Sequence, residues 1–345
     1  MMTVYYPTFP SSAVVLALQE RVGSAARIVT EGEPPVETEM LIEGRPSREL
    51  LDKLPSLRWV VIPFAGVPEA TLAVLRQSEI SLHNLHHNAP ETAELAMALL
   101  LAAAKQTVPM DIRMRSHDWT PRYELSKTMR LEGKTALVLG YGEIGQRVAR
   151  ACEGLGMKVI AVRRTPHPPA PSPRHSSGRG GEPDARSISE LPSLLPIADV
   201  LMLCLPQTAE TIGLIGAKEL SLLKKGAILV NIARAVIVDE EALYNALSTG
   251  HLHSAGLDVW YRYPQDRKGH GGETVPNYYS KEETASNTPP SSFPFHELEN
   301  LVMSPHRGGL STENEKARTE HLARIVLAAS HGEDVPNRVD LEQGY

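Results

Sequence analysis

The stretch TALVLGYGEIGQRVARACEGL, Thr135 to Leu155, limits this chain more than any other. An aliphatic run leads into Gly140, Gly142 and Gly145. Ile144, Val148, Ala151 and Leu155 then recur at the spacing of one helix face. A GxGxxG triplet alone is weak, because glycine-rich turns are common. Between a strand and an amphipathic helix each glycine has a physical task. Gly140 permits the tight turn, Gly142 lets the backbone approach a pyrophosphate, and Gly145 lets helix and strand pack closely. The helix start at Glu143 and Ile144 offers unpaired N–H groups and a positive dipole end to that anion.

The flanking sequence repeats the same alternation. TVYYP, LRWVVIPF and ISLHNL read as strands, with helices predicted in SSAVVLALQERVG and PEATLAVLRQ. A long Ala/Leu-rich helix is predicted from about Pro90 to Gln106. KVIAV, ADVLMLCLP, AILVNIAR, SAGLDVW and LVMS follow as near-continuous apolar runs, the signature of strands buried on both faces. Asp239 caps a helix that closes at Gly250, and a last helix runs from Ser311 to about His331. This order predicts parallel sheets flanked by helices. A chain of 345 residues is long enough for two such domains. Two segments break the pattern: 166–185, read as a surface loop, and 264–292, read as a lid or interface loop.

The second strand of a dinucleotide fold usually ends in an acid that binds the adenosine ribose hydroxyls. Arg163 stands there instead, eighteen residues after Gly145, and Arg164 follows it. Two guanidinium groups suit a 2′-phosphate, so the reading prefers NADP over NAD. Further along, Arg234, Asp258 and His306 each follow the end of a predicted strand, and three successive strand ends share one carboxyl edge.

With GYGEIG, LPQTAETIGLIG, VNIARAVIVDEEAL, GLDVW and SPHRGG in this order, the chain resembles the D-2-hydroxyacid dehydrogenases. The resemblance implies an α/β fold of two Rossmann-like or flavodoxin-like domains with a cleft between them. Residues 1–101 with 306–345 would form the substrate-binding domain and 102–305 the nucleotide-binding domain. It implies hydride transfer between NAD(P) and a 2-oxo or 2-hydroxy acid. Arg234 would bind the substrate carboxylate, His306 would serve as acid and base, and Asp258 would hold the nicotinamide carboxamide. Ala65, Gly66 and Asn88 would contact the substrate, while Leu205, Pro206, Thr211, Ile232, Ala233 and Gly308 would line the cofactor. A homodimer through the nucleotide-binding domain is also implied.

One departure stands out. The family's acid partner for the histidine, five residues after the Asp258 position, is Tyr263 here, with Pro264 following in register. A tyrosine hydroxyl orients a histidine but adds no charge, which predicts a lower kinetic pKa for His306 unless Glu273, Glu282 or Glu283 folds back. Ala235 replaces a usual glycine, and Phe64 a usual small residue. Within the same scaffold, formate dehydrogenases carry an amide at the acid's place and phosphite dehydrogenases a lysine near Ala65; both are absent here, which leaves a formate-dehydrogenase-like oxidation without proton relay as the weaker alternative on this fold. A non-catalytic NAD(P) sensor is the alternative from another class.

The composition excludes other classes. A net charge of −6 argues against nucleic acid or an anionic membrane as partner. No secretory leader is visible, so a cytoplasmic location is expected. Cys152 and Cys204 read as reduced core residues. His83, His86 and His87 lack supporting ligands, so they read as cleft wall or surface with no metal.

Overall fold

A computed structural model describes residues 1–7, 11–125, 127–164, 184–264 and 287–345 of the protein. The chain divides into two compact units, Met1–Thr92 with Gly309–Tyr345, and Ala93–Gly308.

The first unit opens with β1 (Met2–Tyr5), α1 (Ser12–Val22), β2 (Ala26–Val29), β3 (Met40–Ile42), α2 (Arg48–Asp52), β4 (Trp59–Val61), α3 (Glu69–Leu75) and β5 (Ser81–His83). The sheet is parallel throughout, in the order β2-β1-β3-β4-β5. Successive side chains enter opposite cores: Met40 and Ile42 join one, Leu41 the other. β2, β3 and α2 escaped the sequence reading because each offers only three to five residues of pattern.

The next helix, α4 (Ala89–Lys105), starts in the first unit. From Ala93 onward its apolar residues belong to the core of the second, with Ala96, Leu99, Leu100 and Ala103 buried there. This packing brings the first crossing to 92/93, ahead of the 101/102 expected. Gln106, in a left-handed conformation (φ 55°), ends the helix, and α5 (Thr107–Arg115) follows at once. α5 buries no residue, so it left no apolar period in the sequence to find.

The second unit continues with β6 (Thr135–Leu139), α6 (Glu143–Gly154), β7 (Lys158–Arg163), β8 (Asp184–Ser187), α7 (Leu191–Leu194), β9 (Val200–Leu203), α8 (Ala217–Leu222), β10 (Ala227–Asn231), α9 (Glu240–Ser248), β11 (Leu252–Leu257) and β12 (Leu301–Met303). Its seven strands are parallel in the order β12-β11-β10-β9-β6-β7-β8. Alternation explains the unbroken apolar runs. Leu137, Leu139, Leu201, Leu203 and Leu229 fill the core on one face; Ala136, Val138, Val200, Met202, Ile228 and Val230 fill the other. β8 corrects the surface-loop reading of 166–185 at its end, because Asp184 and Ala185 pair with Ile160 and Ala161 of β7. Most of that segment, and most of 264–292 with Glu273, Glu282 and Glu283, lies outside the described residues. The end of the latter is anchored: Ser291 Oγ and Ser292 N both donate to Glu240 Oε1, at 2.6 and 2.7 Å.

After the second crossing, α10 (Asn314–His331) returns to the first unit and buries Leu322, Ile325 and Val326 in its core. Among the described residues no single helix is long and apolar enough to cross a membrane. Both cysteines are free thiols, and burial pushes the pKa of each up to about 12.

Candidate active site

The glycine turn between β6 and α6 is built as a dinucleotide cradle. Gly140 holds a φ of 93°, and a Cβ there would meet the Cys204 carbonyl oxygen at 2.6 Å. A Cβ on Gly145 would overlap the Gly140 carbonyl oxygen, so the helix sits on its own turn as closely as backbone allows. Around Gly142 a Cβ would meet nothing within 4 Å, which leaves room against the backbone. No side chain caps the start of α6 at Gly142, so its first N–H groups are available to an anion. Arg163 is the last residue of β7, its guanidinium carbon 6.0 Å from the ring centre of Tyr141 within the turn. Arg164 reaches Glu210 at 3.5 Å. Donors, space and positive charge therefore fit a phosphorylated dinucleotide. Beyond β9, Leu205 and Pro206 lead into a turn knotted by Thr211, whose Oγ1 donates to Pro206 O at 2.7 Å and accepts from Thr208 N at 2.8 Å.

Arg234, Asp258 and His306 follow β10, β11 and β12, three neighbouring strands of one sheet. Arg234 is presented by a turn that Asn231 folds: its buried amide accepts from Ala233 N and donates to Arg234 O, both at 3.0 Å. Ala235 opens a single 3-10 turn without positive φ, so the missing glycine leaves no strain. The Arg234 guanidinium donates to Ala233 O at 2.7 Å and makes no ion pair among the described residues. That is the state expected of a cation kept for an anionic ligand.

His306 also has a left-handed backbone, φ 58°, which is costly for a residue with a Cβ. Asp258 stabilises it. This buried carboxylate accepts the successive N–H groups of Arg307 and Gly308 at 2.8 Å each, together with the Ser304 hydroxyl. These bonds keep residues 306–308 in the second unit and place the second crossing at 308/309, beyond the 305/306 expected. Trp260 adds a further tie through its indole N–H to Ser304 O at 2.8 Å. Asn231, Ser304 and Trp260 escaped the sequence reading, since nothing in their local pattern separates a turn-builder from core.

Tyr263 Oη lies 2.9 Å from His306 Nδ1 and accepts the Trp260 backbone N–H at 3.1 Å. His306 is exposed as a residue, yet the protein crowding its ring costs the imidazolium hydration, and the Arg234 charge adds to this. Both hold its pKa below the usual histidine range, with Asp258 opposing. Burial raises the Tyr263 phenol, so it stays neutral.

Ala65, Gly66 and Asn88 belong to the first unit. Ala65 O accepts from Asn84 Nδ2 at 2.7 Å. Asn88 immediately precedes α4, but its side chain is not a helix cap. Its buried Oδ1 has no partner among the described residues, while the amide packs against Gly309. Two of the three clustered histidines need correcting from wall or surface to core. His83 is buried between Ser81 Oγ at 2.9 Å and Pro336 O at 2.8 Å. His87 is buried too, and burial, then Arg318 and His321, push its pKa down to about 4. Among the described residues no group of three His, Cys, Asp or Glu is placed to hold a metal.

A seven-stranded parallel sheet with this glycine turn and an Arg–Asp–His edge defines a Rossmann-type dinucleotide oxidoreductase. Residues 97–308 match the profile of the D-isomer specific 2-hydroxyacid dehydrogenase NAD binding domain. Glyoxylate reductase from Thermococcus litoralis is 32% identical over 308 residues, covering 87% of this chain and 82% of that protein. The fold matches a D-isomer specific 2-hydroxyacid dehydrogenase from Xanthobacter autotrophicus, solved with NADPH and MES. The TM-score is 0.76 at 23% identity, over 100% of this chain and 99% of that one. It also matches an NADPH-dependent glyoxylate/hydroxypyruvate reductase from Sinorhizobium meliloti, solved with NADP and malonate. There the TM-score is 0.70 at 22% identity, over 99% and 98% of the two chains. The protein belongs to the D-isomer specific 2-hydroxyacid dehydrogenase family, and its second unit is an NAD(P)-binding domain.

Proposed function

We propose that the protein reduces a small 2-oxo acid to its D-2-hydroxy acid, or runs the reverse, with NADPH preferred over NADH. The single observation that carries this reading is the edge above an NAD(P) fold, where Arg234, without an ion pair among the described residues, stands beside a strained, tethered His306. NADPH, when bound at the glycine turn, supplies the hydride. Arg234 binds the substrate carboxylate through its guanidinium fork and polarises the carbonyl. Ala65, Gly66 and Asn88 are the first unit's candidate substrate contacts, the first two through backbone N–H groups. His306 gives its Nε2 proton to the carbonyl oxygen as the hydride arrives, and takes it back in oxidation. Tyr263 orients His306, and Asp258 would hold the nicotinamide carboxamide. Leu205, Pro206, Thr211, Ile232, Ala233 and Gly308 would line the cofactor.

Arg163 and Arg164 support the NADPH preference, because no acid stands at the end of β7 to receive a ribose 2′-hydroxyl. The relatives' substrates point to glyoxylate and hydroxypyruvate as first candidates. A homodimer through the second unit accounts for Ile112, Trp119, Tyr123 and Leu125, all exposed at 58% or more on α5 and the segment after it. Turnover of a 2-oxo acid panel with each cofactor across pH tests the reading. NAD(P)H binding without turnover of any of them would replace it with a non-catalytic sensor.

A further inference from the structure

The partner of His306 Nδ1 is a hydroxyl, and hydroxyls differ from carboxylates in more than charge. A carboxylate only accepts hydrogen bonds, so it fixes a neutral imidazole in the Nδ1–H form and leaves Nε2 bare. A tyrosine hydroxyl both accepts and donates. Trp260 N–H occupies one lone pair of Tyr263 Oη at 3.1 Å. The O–H and the other lone pair remain for His306 Nδ1 at 2.9 Å. Both neutral tautomers are therefore accommodated by rotating one O–H bond. No carboxylate overrides this choice. Asp258 is committed to Ser304, Arg307 and Gly308, and His306 makes no ion pair among the described residues.

The consequence falls on the other ring nitrogen. With Nδ1 held by Tyr263, Nε2 is the atom left to meet substrate. A bare Nε2 repels a carbonyl oxygen, lone pair against lone pair, so a carboxylate-paired histidine holds a 2-oxo acid only as the cation. An Nε2–H imidazole holds it while neutral. We infer that Tyr263 is a positioning residue that lets neutral His306 take the Nε2–H tautomer and bind the carbonyl oxygen of a 2-oxo acid, separating substrate binding from protonation. This inference rests on the proposed reaction. Only the chemical step then needs the imidazolium: the Nε2 proton passes to the carbonyl oxygen and the neutral ring keeps Nδ1–H, donated to Tyr263. Solvent returns the proton for the next turnover.

Two measurements on the full chain test this. The first follows kcat and KM for glyoxylate, and Kd for the carbonyl isostere oxamate in the NADPH complex, across the fall in kcat with rising pH. KM and Kd should change less than about threefold over two pH units in which kcat falls about tenfold per unit. In Tyr263→Glu they should instead rise about tenfold per unit above its own midpoint, as expected when only the cation binds. Parallel loss of affinity and kcat in the wild type would overturn the inference. The second is 15N NMR of labelled protein above the titration midpoint, with His306 assigned by difference from His306→Asn. A pyrrole-type Nε2 and pyridine-type Nδ1 are expected, and a fixed Nδ1–H would overturn the inference. The spectrum decides the point even if Tyr263→Glu does not fold. Absence of turnover with every 2-oxo acid would remove the proposed reaction, while the spectrum would still report the tautomer.

Discussion

Tyr263 Oη and His306 Nδ1 are 2.9 Å apart, joining two residues 43 positions distant in the chain. The neutral phenol occupies the place from which a carboxylate would charge-stabilise an imidazolium. With burial and Arg234 both disfavouring the cation, the pKa of His306 lies below the ordinary range.

The sign of the pH dependence follows. In the proposed reaction, reduction uses protonated His306, so its rate should be highest at acidic pH and fall as pH rises through the lowered pKa. Oxidation needs the neutral base and should hold steady through neutral pH. Tyr263→Glu should move both limbs upward by about one pH unit or more. Log kcat/KM against pH in both directions checks this, and an unmoved limb would remove Tyr263 from the proton relay.

Removing the hydroxyl alone should be milder. Tyr263→Phe keeps the ring and deletes one neutral hydrogen bond to His306, so kcat should fall by about tenfold, the worth of one such bond. KM should move little. Steady-state kinetics on a variant with unchanged Tm is the measurement.

Arg234→Lys keeps the charge and loses the planar fork. If the guanidinium holds the carboxylate bidentately, kcat/KM should drop about 100-fold or more, with KM raised. Retention of near-normal kcat/KM in this variant would assign the carboxylate to other groups.

The proposed NADPH preference rests on Arg163 and Arg164 at the end of β7. Replacing Arg163 and Arg164 together by alanine should lower the NADPH:NADH ratio of kcat/KM by about 10- to 100-fold, the effect of removing one charge-assisted hydrogen bond. Only the NADPH arm should change substantially. Equal losses with both cofactors would place the arginines on the shared pyrophosphate, not the 2′-phosphate.

Stability should carry the signature of buried His87, which burial, then Arg318, His321 and His86, push down to about 4. Its folded pKa lies below the unfolded value near 6.5, so the unfolded chain takes up a proton between these values and the folded chain does not. Stability is therefore full above about pH 6.5 and falls as pH drops toward 4, by about 2 kcal/mol at pH 5. Thermal unfolding of wild type and His87→Gln at pH 7 and pH 5 should show a smaller acid loss in the variant.

Much of this was legible in the chain itself. Long apolar runs marked β6, β9 and β10 because strands buried on both faces have few polar positions to interrupt them. The glycine turn was legible because only glycine satisfies a φ of 93° at Gly140 and the backbone approach at Gly145. The positions of Arg234 and His306 just past strand ends were legible along the chain, and the family resemblance put Tyr263 at the place of the histidine's partner. What sequence could not supply was which side chains meet. His83 at a strand end and His87 ahead of a helix show no sign of burial until the fold encloses them. Asn231, Ser304 and Trp260 become turn-builders only through bonds to backbone groups. Asp258 organises the His306 turn from 48 positions away, and its three bonds exist only once β11 and β12 lie side by side. Local pattern reports what one segment must bury; hydrogen bonds between distant strand ends depend on their arrangement in the sheet, and that is set by tertiary packing.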